Sequence, residues 1–347
     1  DRFGADRVQQ WALAANGCSL LAYAAAGNVI TFVLIAACVS GSRSLQSTAQ
    51  MTMLARWYTG PERVTIRATL RAIMNVAIGV GTLIAGLALV IDTPSAYRLT
   101  MALVGALTAC GAFPLVGLRH RVPGLAARMD VRSPAPARTR SALRDPTYVG
   151  ATALSTVMAL QFGLTSVAIP LWVADHTEAP TIVVSVLLVI NTVYVALFQV
   201  RASNGTDDIR VAGRVVRRAG LLLLIACLAF GAAAHLGPTS AFVFLAVAAF
   251  AAAAAETLAE AGSWGLAFEL ADPDRAGEYQ GVSQMGYALA QMLAPAIVTL
   301  TAIDRGTPGW VTLGALFALA GVATAALARR AARTRGAAVG HPATTGL

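Results

Sequence analysis

Apolar runs of about 20 residues, separated by short polar segments, recur along the whole chain. A helix needs about 20 mostly apolar residues to cross the ~30 Å hydrocarbon core of a bilayer. By that measure the pattern predicts ten spans, at roughly 9–26, 28–48, 72–91, 99–118, 149–173, 181–200, 219–236, 240–261, 282–303 and 309–328. Gln9, Gln10, Asn16 and Arg43 interrupt the first two. The runs are too long, and too rich in Ala and Leu, for barrel strands. The predicted fold class is therefore an all-α polytopic membrane protein.

Composition removes the competing classes. Of 347 residues, 57% are hydrophobic and 12% charged, where soluble domains carry about 25% charge. Mean hydropathy is +0.66. A soluble enzyme, a disordered tail protein and a nucleic-acid binder are excluded, and the expected surroundings are the lipid bilayer. The net charge is +9, and all 26 basic residues are Arg. With residue 1 placed in the cytoplasm, the inside segments hold 23 of them, the outside loops hold Arg98 and Arg305, and Arg43 lies within a span. That asymmetry fits the positive-inside rule. It predicts a multi-pass protein of the plasma (inner) membrane with both ends cytoplasmic. Cys18, Cys38, Cys110 and Cys227 fall in separate apolar stretches, and the four His lie in loops, at span ends or in the tail. Neither a metal site nor a cofactor is expected.

Residues 119–146 are basic and Pro-rich between two well-formed spans. They fit a cytoplasmic linker between bundles, and equally a solvated loop of no special role. Pro61-Glu62-Arg63 and Pro273-Asp274-Arg275 match in type 212 residues apart. Each can open a helix with Pro in its first turn, behind Gly60 or Asp272. They lead into the third and the ninth span, so the repeat is six helices long, the pattern of duplicated carrier halves. The expected division is an incomplete four-helix bundle (1–118), the linker (119–146), a six-helix bundle (147–335) and a disordered tail (336–347). Two further helices are expected upstream of Asp1.

Several motifs carry a family resemblance. Asp1-Arg2-Phe3-Gly4-Ala5-Asp6-Arg7 resembles the tail of the major facilitator superfamily's loop signature G-x-x-x-D-R-x-G-R-R, with Ala5 and Asp6 at its two basic positions and Arg7 one place late. Arg43-Ser44-Leu45-Gln46-Ser47 is similar to the fourth-helix pattern R-x-x-Q-G of the family's drug:proton antiporters, with Ser for Gly. Gly81-Thr82-Leu83-Ile84-Ala85-Gly86 resembles the fifth-helix pattern G-P-x-x-G-G without its Pro. Tyr279-Gln280-Gly281 and Pro295 are similar to the eleventh helix. The resemblance implies a two-bundle fold with ten of twelve helices present. It also implies a charge latch at Asp1, Arg2, Gly4 and Arg7.

Polar groups inside apolar runs are the candidate machinery. An Arg at the centre of a span costs about 2.5–3.5 kcal/mol on insertion scales unless it meets a cavity or a partner. Two roles fit Arg43: coupling proton release to solute movement, as the resemblance implies, or snorkelling to the headgroups. Gln46 lies one turn further on. Glu256 and Glu260, at i and i+4, project from one helix face and are candidate proton carriers. A wet Glu260 and a Glu256 that merely bonds a neighbouring helix also fit. Asn75, Gln161, Asn191, Tyr194, Gln284 and Gln291 can contact a solute or join helices. Gly79, Gly81 and Gly86, with Ala77 and Ala85, form a small-residue stripe for close helix packing. Trp172 and Trp310, near outer span ends, suit an interfacial belt.

The expected function is secondary active transport of a small organic solute by alternating access, proton-coupled and outward, by a monomer. An importer of the same superfamily is the alternative, and an integral membrane transferase the remote one. The latter needs paired carboxylates or a His–acid set at a membrane face, and neither stands at suitable spacing.

Overall fold

The computed structural model describes residues 4–23, 27–58, 60–122, 124, 141–180 and 182–339, and these are helical with short connections. The long helices are α1 (Ala5–Ala22), α2 (Val29–Trp57), α3 (Gly60–Ile91), α4 (Pro94–Cys110), α5 (Pro146–Ala159), α6 (Ile169–His176), α7 (Ile182–Ala202), α8 (Ile209–Ala233), α9 (Pro238–Glu269), α10 (Ala276–Val298) and α11 (Thr307–Val339). A turn of π-helix, Leu164–Ala168, precedes α6.

Among the described residues, nine helical segments are long and apolar enough to cross a membrane, and they follow nine of the ten expected spans. The remaining one, α1, starts at Ala5 rather than near 9. Its buried face carries Asp6, Gln9 and Asn16, while Trp11 points outward at 73% exposure. Those polar residues lower its average hydropathy, and α1 is not among the segments apolar enough to cross a membrane. Gly4, which precedes α1, has φ of 80°, a left-handed conformation that favours glycine. Asp1 and Arg2 of the expected latch lie outside the described residues. Arg7 is exposed.

Of the expected linker, 123 and 125–140 lie outside the described residues. Asp145 ends it by capping α5, its Oδ1 accepting the Thr147 and Tyr148 N–H groups at 3.0 and 3.1 Å. Helix α11 continues to Val339, past the start of the expected tail, and 340–347 lie outside the described residues.

The chain forms two compact units. The first takes the described residues of Asp1–Thr59, Ile73–Arg140 and Asp272–Gln284. The second takes those of Gly60–Ala72, Ser141–Ala271 and Met285–Leu347. The two exchanged segments, Gly60–Ala72 and Asp272–Gln284, are 212 residues apart at both ends. That is the offset relating Pro61-Glu62-Arg63 to Pro273-Asp274-Arg275. The Asp272 side chain caps its turn by accepting from the Asp274 N–H at 3.0 Å, and Gly60 opens α3 with φ of 55°.

Within the first unit α1 packs on α2 and α4. Gly17 of α1 sits so close to α4 that an added Cβ falls 2.6 Å from the Ala109 Cβ. Within the second, α8 packs on α9 and α11, and a Cβ on Gly213 falls 2.5 Å from the Ala328 Cβ. These are the close backbone approaches that van der Waals packing in lipid requires. At Gly79 and Gly81 of the α3 stripe an added Cβ meets nothing within 4 Å, and the side-chain surroundings of Gly86 lie outside the described residues. Small residues permit close packing but do not supply a neighbour.

The tryptophan expectation also changes. Trp172 and Trp310 are buried in the second unit, with ring centroids 5.6 Å apart. Trp172 Nε1 donates to the Phe230 carbonyl at 2.7 Å. A span end turned toward the bundle is core, and position along the sequence does not reveal which way a side chain faces.

Candidate functional site

Three arginines on the first turns of α3, Arg63, Arg67 and Arg71, stand four residues apart and so share one face. The facing stripe of α9 has the same spacing: Glu256, Glu260, Trp264 and Phe268. Both stripes belong to the second unit. Because α9 runs the other way, the pairs match in reverse order.

At the deep end Arg71 serves two carboxylates. Its Nη2 lies 3.4 Å from Glu256 Oε1 and its Nε 3.1 Å from Glu260 Oε2. The second contact is an ion pair without hydrogen-bond alignment. The side chains of Arg71, Glu256 and Glu260 are 15%, 10% and 7% exposed. The Arg71 guanidinium also lies 5.6 Å from the Phe162 ring centroid. One turn back, Arg67 stacks over Trp264 at 4.2 Å, its Nε and Nη1 buried without a hydrogen-bond partner. At the shallow end Arg63 stacks over Phe268 at 4.9 Å and pairs with Glu269.

A third helix completes the arrangement. Asn191 of α7 donates through Nδ2 to Glu256 Oε2 at 3.0 Å. Glu256 is therefore held from two sides, by a cation and by a neutral amide. Tyr287 of α10 packs edge-on against the Phe162 ring that faces Arg71, at a centroid distance of 5.7 Å. Gln161 is buried next to Phe162, its Oε1 without a partner.

Of the expected site residues, Glu256, Glu260 and Asn191 are thus brought together, while Gln291 is exposed on α10. The others go elsewhere. Arg43 is exposed on α2, and no ion pair reaches it among the described residues; the apolar run that made it conspicuous gave it no counter-charge. In its motif the side chain that makes contact is Ser47, which replaces the pattern's glycine and donates to Gln284 Oε1 at 2.7 Å within the first unit. Gln46 and Asn75 are half-buried and belong to the first unit. Tyr194 packs on Phe198 and Phe250, at centroid distances of 4.6 and 6.5 Å. Arg67 and Arg71 were missed because they precede the apolar run of α3 and count as loop charges. Their four-residue spacing behind Pro61 is the signal that places them on one helical face.

The helices define an all-α polytopic membrane protein with a row of charged side chains between packed helices. The sequence matches the Major Facilitator Superfamily over residues 1–295, and the chain belongs to that family. No curated protein matches the sequence. Among solved structures, a bacterial homologue of the iron transporter ferroportin in its outward-facing state is 17% identical. The match covers 96% of this chain and 84% of that one, with a TM-score of 0.73. The human organic anion transporter MFSD10 (TETRAN) is 16% identical over 92% and 77% of the two chains, with a TM-score of 0.69. The proton:xylose symporter XylE is 14% identical over 93% and 80%, with a TM-score of 0.63. These likenesses share the fold. Family membership makes the chain a membrane transporter rather than an enzyme, working by alternating access.

Proposed function

We propose that the protein exports a small organic solute in exchange for protons, as a monomer of the plasma membrane with both chain ends in the cytoplasm. Glu256 and Glu260 carry the protons and Arg71 is their common counter-charge. The observation that carries this reading is that one guanidinium reaches two carboxylates inside apolar helices. A proton on either carboxylate leaves Arg71 a single partner. It thereby loosens the tie between the start of α3 and α9, so solute passage and proton passage become linked through one group. Asn191, Gln161 and Gln291 offer neutral polar atoms to the solute. The accompanying motion is a rocking of 1–118 against 147–335. The outward direction rests on the antiporter-like patterns at Arg43–Ser47 and Gly81–Gly86.

The test is flux in proteoliposomes of the protein expressed from its complete reading frame. An imposed pH gradient drives uptake or release of the solute, and Glu256→Gln abolishes the dependence on the gradient. Unchanged gradient-driven flux in that variant removes the carboxylate from the mechanism.

A further inference from the structure

A second group of arginines lies away from the charged row. In the second unit a cavity of about 580 Å³ is lined by Arg210, Arg214 and Arg217 of α8, Arg329 of α11, and the carboxylates Asp207 and Asp208. Asp208 caps α8, its Oδ1 accepting the Val211 N–H at 2.8 Å. Among the described residues no carboxylate comes within ion-pair distance of any of the four guanidinium groups. Four cations against two carboxylates leave this concavity with a net charge of +2.

The packing explains why these cations converge. Arg210, Arg214 and Arg217 stand at i, i+4 and i+7, on one face of α8. Gly213 beside them lets α8 approach α11 at Ala328, which brings the next residue, Arg329, to the same side. Their depth follows from helix geometry. The apolar run of α8 begins at 219, so Arg217 and Arg214 stand about 3 and 7.5 Å beyond it along the axis. Arg329 follows directly on the last apolar run. The polar layer on each side of the hydrocarbon is roughly 5–8 Å thick. The unpaired charges therefore sit at the level of lipid phosphates.

We propose that this cavity binds the headgroup of an anionic phospholipid, with Arg214, Arg217 and Arg329 around its phosphate and Arg210 at the aqueous rim. A guanidinium fork suits phosphate oxygens in two-point contact, and an unpaired cation at this depth attracts anionic lipid. The site is independent of the Arg71 centre, and its test does not use transport.

The protein expressed from its complete reading frame is purified in uncharged detergent, and retained lipid is read by native mass spectrometry. The probes are phosphatidylglycerol and phosphatidylcholine of the same chain length, with pyrophosphate as a soluble competitor. Phosphatidylglycerol is expected to be retained at least tenfold better than phosphatidylcholine. Arg214→Gln with Arg329→Gln lowers that retention by about 25-fold, at roughly fivefold per arginine. The pair Arg98→Gln with Arg305→Gln removes the same charge elsewhere and changes it less than twofold. Equal retention of the two lipids by the unaltered protein overturns the proposal, and needs no variant to fold. Equal losses in the two double variants also overturn it. Pyrophosphate binding with no preference among lipids assigns the cavity to a soluble anion instead and equally overturns it.

Discussion

Replacing Arg71 by Gln tests the central arrangement most directly, because the expected cost can be worked from the geometry. Contacts of 3.1 and 3.4 Å are worth about 5 kcal/mol each at an effective dielectric of about 20. Repulsion between carboxylates ~6 Å apart at i and i+4 returns about 3 kcal/mol. Desolvation of three charges consumes most of the remainder, so the intact cluster is close to neutral in net stability. Removing the shared cation is different, because two buried carboxylates then lose the guanidinium that pairs with both. Such a loss costs about 3–5 kcal/mol, or roughly 6–15 °C in thermal midpoint. Restoring neutrality by adding Glu256→Gln and Glu260→Gln to Arg71→Gln should recover at least half of that loss, because replacing a whole buried ion cluster by neutral groups is near neutral. The assay is the unfolding midpoint in detergent, followed by gradient-driven flux, which the triple variant does not regain. A triple variant as unstable as Arg71→Gln alone refutes the reasoning, since the instability then comes from lost packing and not from uncompensated charge.

Other outcomes follow from the same structure. Asn191→Leu leaves Glu256 Oε2 without its amide donor and should cost about 1–3 kcal/mol in unfolding free energy, with a matching fall in gradient-coupled flux. Trp172→Phe should cost a similar amount in thermal unfolding, because it strands the Phe230 carbonyl inside the second unit. Gly213→Leu should prevent stable folding through its clash with Ala328, seen as loss of a monodisperse peak on size exclusion. Gly79→Leu, with open space around it, should stay within about 0.5 kcal/mol of the parent.

The helical plan was legible in the sequence because the requirement it meets is crude: about 20 apolar residues per crossing. Glu256, Glu260 and Asn191 were legible for the related reason that a polar atom within an apolar run is conspicuous. What one sequence does not carry is the azimuth of a side chain. Arg43 stood out by its setting yet pairs with no carboxylate among the described residues, whereas Arg67 and Arg71 passed as loop charges although α3 begins at Gly60, well before its apolar run. Trp172 and Trp310 failed in the same way, since a span end looks alike whether its indole meets headgroups or a neighbouring helix. The small-residue stripe on α3 marked where close approach is possible, while the partners that realise it belong to α1 with α4 and to α8 with α11.

The stacking of Arg67 on Trp264 has an optical consequence. A cation held 4.2 Å above an indole perturbs that ring's excited state, so the emission of Trp264 should change whenever the arginine leaves. With Trp11, Trp57, Trp172 and Trp310 replaced by Phe, the remaining emission would show in ultraviolet light whether Arg67 keeps its place over the indole, without an added dye.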